Sequence, residues 1–111
     1  MSYSVKLYKN NRGEEPVRRF IFIQNSQTQA KYVRMRRLLQ DYGPHLAYPH
    51  AKHVVGNLFE LRIKGQTEIR VFYAWIGNSY FLLHAFKKKS QKTPRQEIEK
   101  ALTFLTRIYH M

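Results

Sequence analysis

The sequence predicts an α+β fold, one mostly antiparallel sheet with helices grouped against it. Three observations carry this. Residues 57–86 hold three runs rich in aromatic and branched residues, separated by short polar breaks, as hairpin-connected strands are. Ile98, Ala101, Leu102, Leu105 and Ile108 recur at helical spacing. Between a first strand-like run and the hairpins lie two stretches with helix-start chemistry. No linker, repeat or low-complexity tract divides residues 1–111, so a single domain is expected.

Taken in order, Tyr3, Val5 and Leu7 alternate with polar residues over 3–9, which predicts an edge strand. Asn10-Asn11-Arg12-Gly13 is a turn. Pro16, preceded by Glu14 and Glu15, suits a first helical turn, with Val17, Phe20, Ile21 and Ile23 as its apolar stripe. Ser26 is the expected cap of a second helix from about Gln27 to Tyr42. Ala30, Val33, Leu38 and Leu39 are expected inward, with Lys31, Arg34 and Arg37 outward, and Gly43-Pro44 ends it. Residues 45–55, with Pro49, Lys52 and the histidines 45, 50 and 53, read as an extended loop. Three loop histidines without a nearby carboxylate or cysteine do not make a zinc set. Thr93 is the expected N-cap of the last helix, Pro94 its first residue and Gln96 the partner in a capping box. About four strands are expected.

The charges on the hairpin strands matter most. In residues 58–64, Phe59, Leu61 and Ile63 share one face and Glu60, Arg62 and Lys64 the other. In the next run Ile69, Val71, Tyr73 and Trp75 lie opposite Arg70 and Phe72. If Ile63 pairs with Ile69, Arg62 faces Arg70 directly, a like-charge pair that costs a few tenths to ~1 kcal/mol. Either positive charge is focused there for a purpose, with Lys87-Lys88-Lys89 ending near the same face, or Glu60 neutralises the arginines diagonally and the lysines are simply solvated.

Composition narrows the partners. Twenty Lys and Arg against seven Asp and Glu give a net charge of +13, which points to a polyanion, nucleic acid first. The basic outer face of the second helix is either a solvated face or a docking surface. No apolar run approaches the ~20 residues of a spanning helix. Residues 1–7 lack the apolar core of a signal peptide, so a cytoplasmic protein without membrane contact is expected. With no cysteine, disulfides and thiolate metal sites are excluded.

The segments Gly56-Asn57-Leu58-Phe59-Glu60-Leu61-Arg62, Ile69-Arg70-Val71-Phe72-Tyr73 and the run from Leu82 to Pro94, containing Phe86-Lys87-Lys88-Lys89-Ser90-Gln91-Lys92-Thr93-Pro94, together resemble the RelE/ParE toxin superfamily, and most of all its HigB-like, phage-derived branch. The resemblance covers nearly the whole chain. It implies a RelE-like order of N-terminal strand, two helices, three antiparallel strands and a C-terminal helix. It also implies the toxin of a type II toxin–antitoxin pair, an endoribonuclease that cuts mRNA in the ribosomal A site without metal or other cofactor. The implied partners are the ribosome with its mRNA and a helix-turn-helix, HigA-like antitoxin, with operator DNA met only through the toxin–antitoxin complex.

By position, Arg62 and Arg70 match the family's two sheet arginines, and Lys87 to Lys89 its basic group; Arg62, Arg70, Lys88 and Glu60 are taken as the catalytic candidates. Glu60 stands where RelE enzymes tend to have a lysine, though it is usual in the HigB-like branch. No tyrosine appears early in the last helix, which leaves the acid and base open. Lys87, Lys89, Lys92, Lys52 and Arg95 are candidate RNA or ribosome contacts. Phe86 and Tyr73 are candidate base-stacking residues, each with a core role as the alternative. His84 has the right chemistry for proton transfer, but alternation places it with Leu82 and Phe86. Two other readings stay open, a ParE-like gyrase inhibitor and a non-catalytic basic RNA-binding module.

Overall fold

The computed structural model describes residues 2–110. Its elements are β1 (Ser4–Leu7), α1 (Pro16–Phe22), α2 (Ser26–Tyr42), a short 3₁₀ turn (Gly43–His45), β2 (Ala51–Val55), β3 (Leu58–Ile63), β4 (Ile69–Ile76), β5 (Ser79–Lys87) and α3 (Arg95–Tyr109). The five strands form one sheet in the order β1-β5-β4-β3-β2. Only β1 pairs in parallel, with β5. The architecture is α+β, with the sheet between two helical layers. No helix among the described residues is long and apolar enough to cross a membrane.

Each sheet face has its own core. On one, Val17 and Ile21 of α1 and Tyr32, Met35 and Leu39 of α2 pack against Leu61, Ile63, Ile69, Val71, Tyr73 and Leu82. On the other, Ala101 and Leu105 of α3 pack against Leu58, Phe72, Ala74, Leu83 and Phe86. Central β4 is covered on both faces and buried from Ile69 to Ala74, as a run without strict apolar–polar alternation allows. The two N-terminal helices do share one side, as expected. So do the helical positions of the last element: Ala101 and Leu105 are buried, and Ile98, Leu102 and Ile108 pack beside them.

Several local expectations give way. There are five strands rather than about four, because residues 51–55, expected in a loop, pair with β3 as an edge strand. In α2 the buried stripe is Tyr32, Met35 and Leu39, with Leu38 beside it, while Ala30 and Val33 are exposed. Ile23 is exposed too. The cap of α2 is Asn25, whose side chain accepts from the Thr28 N–H; Ser26 is already helical. The capping box at α3 does not form. The helix starts at Arg95 with Pro94 at the cap position and no side-chain cap bond.

One irregularity decides which face carries what. Phe72 pairs with His84, but Tyr73 pairs with Leu82, so Leu83 is an extra residue in β5. The bulge shifts the alternation by one. Leu82 therefore belongs to the α1–α2 core and Leu83 and Phe86 to the α3 core. His84, expected beside Leu82, shares the α3 face with Phe72 instead.

Candidate functional site

Arg62 and Arg70 are direct partners across the β3–β4 ladder. The register follows from the five-residue break between Ile63 and Ile69, which are themselves paired. Glu60, two residues before Arg62 on the same face, is placed diagonally to Arg70. Its Oε2 lies 3.2 Å from Arg70 Nε and 3.7 Å from Arg62 Nε. Arg70 Nη1 also donates to Glu68 Oε1 at 3.2 Å. These groups are withdrawn from solvent: side-chain exposure is 3% for Arg70, 6% for Glu60 and 14% for Arg62. A carboxylate so buried between two guanidinium groups offsets the like-charge cost of the pair and fixes both side chains.

The pairing is incomplete in an informative way. Arg62 Nε and Nη1 and Arg70 Nε are buried without a well-directed hydrogen bond, although the Glu60 carboxylate is ion-paired with both Nε atoms. Buried donors left unmatched cost ~1–3 kcal/mol each, more when charged. Such forks are matched by an oxyanion.

After β5 the chain turns back over this end of the sheet. The Lys88 N–H donates to the Glu68 carbonyl at 2.8 Å. Arg62, Glu68, Arg70, Lys88, Lys89, Ser90 and Gln91 then line an open groove of about 560 Å³. Four cations face two carboxylates there, counting Glu60 beneath, so the groove is positive. Arg62 also lines a second groove of about 230 Å³, shared with Lys31, Arg34, His50 and Lys64. Lys31 Nζ donates to the Lys64 carbonyl at 2.8 Å, so the basic outer face of α2 meets the end of β3. Over Arg62 stands Tyr48, with the guanidinium carbon 5.0 Å from its ring centroid. Hydrogen bonding to Arg62, and then the charges of Arg62, Lys64 and Lys52, hold the Tyr48 phenol below its usual range.

The remaining sequence candidates divide. Lys52 is exposed and lies across from Glu60, on the arginine face. Lys87 pairs with Ile69, so it points to the α1–α2 side and away from the groove. Lys92 is exposed outside the lining, and Arg95 is exposed and paired with Glu99 at 3.2 Å. Neither stacking candidate presents an open face. Phe86, opposite Arg70, is buried against Phe72 with ring centroids 5.1 Å apart. Tyr73 lies on the far face, stacked on Phe59 at 5.7 Å, and burial pushes its phenol up. His84 Nε2 is 2.8 Å from Glu97 Oε1, and burial lowers its pKa against the opposing pull of Glu97. It joins β5 to α3 rather than lining the groove. No group of three or more His, Asp or Glu side chains among the described residues is arranged to hold a metal ion.

Sequence reasoning missed Glu68, Tyr48, Ser90 and Gln91. Glu68 was legible in principle, two residues before Arg70 and so on its face. Tyr48 was not, because its place depends on how the loop before β2 folds over β3.

No curated protein matches the chain at a significant level. The family model for "Phage derived protein Gp49-like (DUF891)" matches residues 19–106. That span runs from within α1 to within α3 and contains both arginines, both carboxylates and the lysine turn. With most of its length so matched, the chain belongs to the phage-derived Gp49-like family, within the RelE/HigB-like group of toxins from toxin–antitoxin systems.

Proposed function

We propose that this toxin is a ribosome-dependent endoribonuclease, which cuts mRNA in the A site by attack of the RNA's own 2′-hydroxyl. The observation that supports this best is the buried, ion-paired Arg62–Glu60–Arg70 cluster, with three guanidinium nitrogens lacking a directed hydrogen bond, beneath a lysine-rimmed groove. In this reading, Glu60 is a positioning residue that holds both guanidinium groups. Arg62 and Arg70 contact the scissile phosphate and stabilise the phosphorane as its charge grows. Donors fixed on strands need little rearrangement to do so. Glu68, the carboxylate at the groove wall, takes the proton from the 2′-hydroxyl as its oxygen bonds to phosphorus. Lys88 gives a proton to the departing 5′-oxygen. The products are a 2′,3′-cyclic phosphate and a 5′-hydroxyl, so no metal is required by the balance. The ribosome supplies the in-line alignment of the mRNA that a shallow, open groove does not.

Membership of a toxin–antitoxin family implies a cognate antitoxin as partner. We infer a helix-turn-helix protein for that role, with operator DNA bound through the complex. The test is to induce the protein, extract mRNA and map its ends. Discrete cuts within translated frames support the reading. Intact mRNA with blocked supercoiling would indicate gyrase instead, and neither effect would leave a binding module.

A further inference from the structure

The proposed reaction needs a grip on the base beside the cut, and the residues first expected to give it are inside the two cores. Other large aromatic side chains at the surface are Phe22, Tyr42, Trp75 and Tyr109. Neither they nor Tyr48 line the groove of Arg62, Arg70 and the lysines, but of these five only Tyr48 makes a cation–π contact with one of its arginines. Tyr48 is 69% exposed and touches the site through Arg62.

We propose that Tyr48 is the base-stacking residue of this site: one face of its ring rests on the Arg62 guanidinium, and the other receives a nucleobase of the strand whose phosphate lies against Arg62 and Arg70. The proposal rests on the nuclease reading above and deepens it. Three features carry it. First, the 5.0 Å cation–π contact holds the ring at the site without covering it. Second, single-stranded RNA is commonly held by aromatic stacking beside a cationic track, since every base offers a π-face. Third, Arg62 belongs to both grooves, and Pro49 and His50, the residues after Tyr48, line the second. A strand passing from the lysine rim over Arg62 toward Lys31, Arg34 and Lys64 would run beside Tyr48, which contacts Arg62 without lining either groove. The cationic surroundings that lower the phenol also offer a competing use of Tyr48, as a proton acceptor through its hydroxyl, and the two uses separate on substitution.

The experiment combines a short single-stranded RNA carrying 2-aminopurine with ribosome-dependent mRNA cleavage, for wild type, Tyr48→Phe and Tyr48→Ala. Tyr48 is a surface residue, and circular dichroism checks that both variants fold. The expected result is quenching of 2-aminopurine by wild type and by Tyr48→Phe, and loss of quenching in Tyr48→Ala with an affinity fall of about 5- to 150-fold. In cleavage, Tyr48→Ala should raise KM more than it lowers kcat, and Tyr48→Phe should stay within about threefold of wild type. Tyr48→Ala that binds, quenches and cuts like wild type would overturn the proposal. So would Tyr48→Phe falling as far as Tyr48→Ala, because the hydroxyl would then be the working group. If the wild type cuts no mRNA, the nuclease reading fails by itself, and the oligonucleotide alone decides Tyr48: quenching lost in Tyr48→Ala supports stacking, and unchanged quenching, or none in wild type, overturns it.

Discussion

Arg70 is the side chain through which several of the site's interactions run. It faces Arg62 across the ladder, meets Glu60 at Nε and Glu68 at Nη1, and is almost wholly enclosed. Removing one preorganised donor at a phosphorane costs ~2.7–4 kcal/mol, or about 10²–10³ in rate. Arg70→Lys should restore cleavage only in part, because an ammonium does not replace a planar fork. Lys88→Ala should be milder, with Lys89 beside it in the groove. Lys87, which faces the other side of the sheet, should give no compensation, and Lys87→Ala should cut at nearly the wild-type rate. Glu68→Gln should lower kcat by about 10²–10⁴ if Glu68 is the general base, while its antitoxin binding, read by pull-down, stays intact. Glu60→Ala is different in kind. It leaves two buried guanidinium groups facing each other, a loss of ~3–5 kcal/mol by analogy with other broken buried pairs, so thermal unfolding should show it before any activity assay does. The Arg62–Arg70 pairing was legible in the sequence because a five-residue break and the apolar pair Ile63–Ile69 fix the hairpin register. That Glu60 serves both arginines was legible only as a diagonal neighbour; the depth of its burial was not, because it depends on β2 and β4 flanking β3.

Among the elements, reading failed where pairing rather than pattern decides. β2 has one buried residue, Ala51, with Lys52 and His53 exposed; it is a strand because β3 offers an edge, and no alternation announces it. α2 was set out of phase because Ala30 and Val33 are small or apolar, whereas the core takes Tyr32 and Met35, whose longer side chains reach the sheet. The Leu83 bulge leaves no sequence mark, and it alone moves His84 away from Leu82. The His84–Glu97 contact has a measurable consequence at this scale. Burial depresses the His84 pKa in the fold, so the unfolded chain takes up that proton first as pH falls. Stability should be complete above about 6.5, the ordinary histidine value, and decline as pH drops below it toward the folded value. Thermal unfolding at pH 7 and pH 5 should show this loss in wild type and a smaller one in His84→Gln. The turn after α2 gives a second check. Gly43 has φ +51°, and an added Cβ would collide with the ring of Tyr3. Gly43→Ala should therefore destabilise by ~1–3 kcal/mol from the backbone alone, with the strained contact adding to it.

For the molecule as a whole, α3 and the α1–α2 pair cover the two faces of the sheet, and the lysine turn meets the arginine end of β3 and β4. Composition foretold the sign of that surface, since +13 over 111 residues favours a polyanion. It could not foretell where the charge converges, which depends on β5 returning Lys88 and Lys89 over Arg62 and Arg70 while sending Lys87 to the other face. Binding to RNA or to ribosomes should weaken steeply with salt, log K falling linearly with log salt as phosphates displace counterions; affinity unchanged between low and high salt would point away from phosphate contact. The most direct measurement is single-turnover cleavage of mRNA on programmed ribosomes by purified wild type and Arg70→Ala, with circular dichroism as the fold control. The expected result is discrete A-site cuts by wild type and a rate lower by about 10²–10³ for a folded Arg70→Ala. A folded Arg70→Ala that cuts at the wild-type rate, joined by Arg62→Ala doing the same, would contradict the sheet-face site and return its charge to a binding surface.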